Sequence, residues 1–189
     1  MQRDFGVAFV TQCAPVMAGL KPANLFRWVE LDASAMEALV CHWHTLLRPR
    51  GLAVEILSRD TANHAFLVYV YRAPRLQAIL KAPEIYTYLS EVGYPQPEDF
   101  RAALQHLSAR LAQGGTFPHE IGIFLGYQLE DVLGFVRNKG KNYTFKGYWK
   151  AYGDPAAAQA RFASFRKCTD VYLRCYRNGT PVTRLTVAV

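Results

Sequence analysis

The sequence has no Walker-type phosphate loop, no G-x-G-x-x-G run, no G-x-S-x-G elbow and no internal repeat. Several common enzyme classes lose support with them. No segment approaches 18 uninterrupted apolar residues, and Met1 to Thr11 lacks a basic stretch followed by a long apolar run. The expectation is a cytoplasmic protein with no membrane partner. No Pro/Ser-rich linker divides the chain, so residues 1–189 read as a single domain. The four cysteines, Cys13, Cys41, Cys168 and Cys175, contain no C-x-x-C unit. Cys168 and Cys175 are seven apart in a helical pattern, which places them about 10 Å apart along the axis, beyond disulfide reach. Reduced, partly buried thiols are expected.

What is present is ordinary for a globular chain: 51% hydrophobic and 20% charged residues. The balance is basic, with a net charge of +7 and a pI near 9.3. Such a surface favours anionic partners such as nucleic acid, nucleotides, phosphorylated substrates or an acidic protein, although it also serves solubility alone.

Periodicity predicts a short helix over residues 4–12, closed by Cys13-Ala14-Pro15, and a strand over 24–30. Met36, Leu39, Val40, Trp43, Leu46 and Leu47 then recur at helical spacing, with Asp32 or Ser34 as N-cap and Gly51 past the end. His42 and His44 on this helix point about 200° apart and cannot share a metal. A hairpin of strands 52–57 and 65–71 follows, then helices over 75–81, 84–92 and 97–113, the last with Phe100, Ala103, Leu104, Leu107 and Leu111 as its apolar stripe and His106 outside it, solvated. A strand over 144–152, a helix from Asp154-Pro155 to about Tyr176 and a final strand over 182–189 complete the chain. The fold class is α+β: a mixed or mostly antiparallel sheet with helices mainly on one face.

The densest chemistry lies between Phe117 and Trp149. Gly126, with Gly122 four before it and Val132 and Phe135 six and nine after, has the spacing of a helix-turn-helix-like αα-corner. As a DNA reader it is poorly equipped, since Glu130 and Asp131 would meet phosphates at the approaching end. His119 and Glu120 follow Pro118 in what reads as the first turn of a helix, a setting that favours neutral imidazole and ionised carboxylate. Adjacent helical residues diverge by about 100°, so one can face a cleft while the other pairs locally. As a strand, 144–152 would put Lys146, Tyr148, Lys150 and Tyr152 on one face, able to stack on and neutralise a planar anion or single-stranded nucleic acid. Lys139 and Lys141 flank Gly140, whose backbone could approach an anion.

The runs Cys13-Ala14-Pro15, Asn24-Leu25-Phe26 and Tyr69-Val70-Tyr71-Arg72 resemble a bacterial family called domain of unknown function 3793. So do Phe117-Pro118-His119-Glu120-Ile121-Gly122, Phe124-Leu125-Gly126-Tyr127, Asn138-Lys139-Gly140-Lys141-Asn142 and Lys167-Cys168-Thr169. The resemblance covers nearly the whole chain and implies a compact, stand-alone bacterial protein, with no established activity attached. Gln128 departs from the proline, and Ala151 from the valine, that the family pattern leads one to expect.

The leading expectation is a small anionic or aromatic ligand or cofactor in a cleft lined by His119, Glu120, Tyr127, Asp131, Lys139, Lys141, Lys146, Tyr148 and Lys150. His119 is the first candidate for proton transfer, with Glu120 or Asp131 to orient it. The alternative is a nucleic-acid-binding or regulatory module built on the αα-corner and basic strand; a third is docking to an acidic protein. No residue set specifies a metal or a particular cofactor.

Overall fold

The computed structural model describes residues 4–113 and 117–188. Its centre is a three-stranded antiparallel sheet in the order β1 (Ala23–Val29), β3 (Ala65–Tyr71), β2 (Ala53–Asp60). β2 and β3 form the expected hairpin, and Leu57 bulges out of the register between Ile56 and Ser58. The central position of β3 explains its composition, because both faces of its alternating side chains must be buried. Val68 and Val70 enter one core with α1 (Phe5–Met17) and α2 (Ala33–Leu47). Tyr69 and Tyr71 enter a second core with α3 (Ala73–Leu80), α4 (Pro83–Glu91), α5 (Phe100–Ala112) and α6 (Ile121–Phe124).

The α+β class and antiparallel pairing are as expected, but helices cover both faces of the sheet rather than mainly one. The tyrosines make this feasible, since their hydroxyls keep partners in the second core: Tyr69 donates to the Phe124 carbonyl at 2.6 Å, and Tyr71 donates to the Glu55 carboxylate.

Three element predictions need correction. First, α1 does not stop before Pro15 but continues to Met17. Cys13, Ala14, Val16 and Met17 are fully buried, and packing that last turn outweighs the one backbone bond that proline removes. Second, residues 144–152 are not one strand but a tight hairpin of β4 (Phe145–Lys146) and β5 (Lys150–Ala151). Gly147 lies against Phe162, where an added Cβ would come within 2.1 Å of the ring, and the chain reverses there. Third, the C-terminal strand is instead a single helical turn, α9 (Val182–Leu185), begun by Pro181. The segment after it bonds to the end of α1 through Val187 N–H and the Met17 carbonyl, 3.0 Å apart, rather than to a sheet edge.

Arg72 organises that end of the molecule. Its buried guanidinium donates to the carbonyls of Val16, Met17, Arg50 and Val187 at 2.8–3.2 Å. The first two lie in the last turn of α1, where unpaired carbonyls and the negative end of the helix dipole favour a cation. One side chain thus ties α1, the turn after α2 and the C-terminal segment to the end of β3.

The expected αα-corner is present as α6 followed by α7 (Leu129–Arg137). Gly126 turns the chain with φ +74°, packed so closely on Pro22 that a Cβ would collide with its ring. Gln128 caps α7 with φ −63°, the angle that proline would impose, so its departure from the family pattern leaves the turn intact. α8 (Pro155–Arg177) then runs back along α1, with Asp154 as its N-cap.

Candidate functional site

The Pro118–Glu120 turn separates the paired His119 and Glu120 completely. Glu120 is buried, 2.9 Å from the Arg110 guanidinium, and accepts a hydrogen bond from the Tyr94 hydroxyl at 3.2 Å. Arg110 also donates to the Val92 carbonyl, so the three side chains lock the turn to α5 and to the end of α4. Burial and the adjacent Glu120 carboxylate push the Tyr94 hydroxyl well above its ordinary pKa, which keeps it a neutral donor. His106, expected to be solvated, is half-buried against the Tyr94 ring at 4.5 Å.

His119 faces the other way, exposed, with its ring 4.9 Å from Phe135 of α7. Asp131 is equally committed elsewhere. It accepts from Trp149 Nε1 at 2.7 Å and from the backbone N–H groups of Tyr152 at 2.7 Å and Gly153 at 3.4 Å. Asp131 therefore pins the β4–β5 hairpin to α7. The expected histidine–carboxylate dyad does not form: both carboxylates are engaged by structural donors, and neither is hydrogen-bonded to His119.

A cleft of about 410 Å³ opens between α6–α7 and the hairpin. Its walls include Ile121, Val132, Phe135 and Tyr148, with His119, Asp131, Lys146 and Lys150 as charged or titratable groups among them. Of the residues singled out in the sequence, His119, Tyr127, Asp131, Lys146, Tyr148 and Lys150 line this space, whereas Glu120, Lys139 and Lys141 do not. Lys146 and Lys150 remain together as cross-strand partners. Lys150 Nζ also donates to the Gly140 carbonyl at 2.7 Å and lies over the Phe135 and Tyr143 rings. Tyr152 leaves that face and packs on Gly134.

The Asn138–Asn142 turn is not an open anion cradle. Lys139 N–H bonds to the Val136 carbonyl, Gly140 N–H to Phe135 and Lys141 N–H to Asn138, so these amides close the end of α7. Lys139 adopts φ +50° there, where glycine is usual. On α7 itself, the Tyr152 ring covers Gly134, so the helix face that a DNA reader would present is partly occupied by the hairpin.

Sequence reasoning missed Lys21. It lies in the turn before β1, is only 4% exposed, and donates to Asn24 Oδ1 at 2.7 Å. Its ammonium is 5.4 Å from the Tyr127 ring and 6.0 Å from the Trp149 ring. Those two rings stack on each other at 4.2 Å. Among the described residues no carboxylate pairs with it. Burial lowers its pKa from 10.5 to about 8, against the smaller opposing influence of the Cys13 thiol. Nothing in the Leu20-Lys21-Pro22 triplet marks its lysine as buried; the signal exists only once β1, Tyr127 and Trp149 are assembled around it.

Residues 9–186 match the family described as protein of unknown function (DUF3793). The chain belongs to this family. No match was found among curated proteins or among solved structures. The DUF3793 fold as seen here holds no group of three or more metal-ligating side chains among the described residues, and no helix among them is long and apolar enough to cross a membrane. All four cysteines are free; Cys13 is buried, Cys41 is exposed, and Cys168 and Cys175 lie between.

Proposed function

We propose that this DUF3793 protein binds a small, planar, anionic aromatic molecule in the cleft between α6–α7 and the β4–β5 hairpin. The observation that supports this most is the composition of the cleft wall: aromatic and aliphatic side chains with His119 and Lys146 interspersed, and a single carboxylate, Asp131, already held by Trp149 and two amides. An apolar recess with a few convergent polar groups suits a flat ring, and the lysines supply the charge complement. His119, resting on Phe135, is placed to contact such a ring at its edge.

Titration with an anilinonaphthalene sulfonate, a planar aromatic anion, tests the reading. His119→Ala, Lys146→Ala and Phe135→Ala are each expected to weaken binding about tenfold, in line with the loss of one buried contact or charge-assisted hydrogen bond. Unchanged affinity in all three variants refutes it.

A second reading has its own support in the exposure of Tyr143 and Tyr148, 42% and 44%, beside the exposed Lys141 and Lys146. Exposed rings among lysines can stack the bases of single-stranded nucleic acid. Retention of a single-stranded oligonucleotide at low salt, lost steeply as salt rises, would favour that reading; no retention dismisses it.

A further inference from the structure

A second recess, of about 330 Å³, has Trp149 in its lining and is bounded by the Leu20–Pro22 turn, α3 and α8. It shares only Trp149 with the aromatic cleft. Three cationic side chains line it, Lys21, Arg75 and Arg161, with no aspartate or glutamate among the lining residues.

Each cation reaches the recess from a different part of the chain: the turn before β1, α3 and α8. Arg75 stands in the first turn of α3 and donates through Nη1 to the Gly19 carbonyl, and the rest of its fork meets no acceptor among the described residues. Arg161 projects from α8 and makes no hydrogen bond or ion pair with any other described residue. Lys21 is buried at the base with one acceptor for its three donors. A buried ammonium without a counterion costs stability, and such groups are normally paired or neutralised. Three like charges line one concavity; Lys21 and Arg75 each have one neutral acceptor, Arg161 has none among the described residues, and no carboxylate faces any of them there.

We propose that this recess binds the phosphate group of a small, soluble phosphate monoester, with Arg75 and Arg161 as its forks and Lys21 beneath. Two guanidinium forks and an ammonium match a dianion with three accepting oxygens. Trp149 and Phe165 supply an apolar wall for the organic part. The recessed position of Lys21 favours a soluble ester over a phosphate at a flat bilayer surface, which could not reach it. The proposal is independent of the aromatic cleft, since neither His119 nor Lys146 contributes to the recess.

Calorimetric titration with phenyl phosphate, and with benzoate as the monoanionic counterpart, tests it. Saturable binding of phenyl phosphate, at least tenfold tighter than of benzoate, is expected. Arg161→Gln and Arg75→Gln should each weaken phenyl phosphate at least tenfold. Arg166→Gln, which removes the same charge from an exposed position on the same helix but outside the recess, should leave it unchanged. Arg161 is free of structural bonds, so its variant keeps the test valid if Arg75→Gln fails to fold. Absence of saturable binding, equal affinity for benzoate, or affinity that falls with His119→Ala but not with Arg161→Gln would overturn the proposal. That last pattern would leave the aromatic cleft standing by itself.

Discussion

At the scale of single residues, Lys21 shows most directly how burial changes chemistry. Its folded pKa of about 8 lies below the 10.5 of the ordinary ammonium, chiefly because burial penalises the charged form. Below pH 8 both folded and unfolded chains carry the proton, and the folded state bears the full cost of the buried charge. Between about pH 8 and 10.5 the folded chain has released the proton while the unfolded chain retains it, so this contribution improves as pH rises. Lys21→Met should therefore stabilise the protein most below pH 8, by up to about 3 kcal/mol less the lost bond to Asn24, with the advantage fading towards pH 10.5. Cys13 and Tyr127, whose pKa values burial raises, act in the opposite sense at high pH. The check is therefore the difference between mutant and parent in chemical denaturation across pH, not either curve alone. A constant difference would show that Lys21 does not titrate as described.

At the scale of elements, the short pieces of this fold are held by side-chain bonds rather than by their own propensity. The two-residue strands β4 and β5 are too short to be stable by themselves, and Asp131 anchors them through Trp149 and two backbone amides. Arg72 plays the same part at the other end, where one guanidinium satisfies four carbonyls. Arg72→Met keeps the volume but removes all four bonds and leaves the Arg50 and Val187 carbonyls without a donor among the described residues, while Val16 and Met17 each keep a backbone donor; a loss of about 3–5 kcal/mol is expected, read from the midpoint of urea unfolding. Arg72→Lys should recover little of it, because an ammonium cannot reproduce the planar fork. In these variants hydrogen exchange should show the C-terminal segment after α9 released first, since of its two bonds at Val187, the N–H to Met17 and the carbonyl to Arg72, the second is lost. These bonds also explain which elements were legible. The long amphipathic helices α2 and α8 could be read because their apolar stripes and their caps, Asp32 and Asp154, are local features; α5 could be read from its stripe, although it begins at Phe100 behind an Asp99 cap and not at Pro97. The 144–152 stretch could not, because its alternation suits a strand, and the contacts that accompany the reversal, Phe162 against Gly147 and Asp131 on Trp149, Tyr152 and Gly153, come from other elements.

At the scale of the whole molecule, β3 joins two cores that would otherwise be separate. Val68 and Val70 belong to one, Tyr69 and Tyr71 to the other, and all four are fully buried. Neither core can lose its sheet face without exposing the other, so thermal unfolding should be a single cooperative transition. Val70→Ala and Tyr69→Phe, on opposite faces, should each lower that one midpoint without splitting it, as calorimetry would show. A second transition in either variant would mean that the halves unfold independently. The two recesses share Trp149, which stacks on Tyr127 and belongs to a third, smaller cluster with Phe162 and Phe165.

The sequence by itself determined the fold class, the long helices, the β2–β3 hairpin, the αα-corner around Gly126 and the family to which the chain belongs. All of these rest on local periodicity, caps, turn residues or contiguous motifs. It also marked the Phe117–Trp149 region as chemically dense. Only the tertiary structure decided what each polar group there does: Glu120 and Asp131 are bound to donors on other elements, His119 is left facing the cleft, and Lys21, some hundred residues earlier in the chain, is buried beside Tyr127 and Trp149. The physical reason is that burial and hydrogen-bond saturation are properties of the packed neighbourhood. A carboxylate beside a histidine in sequence looks like a catalytic pair until the arginine that claims it is brought into place.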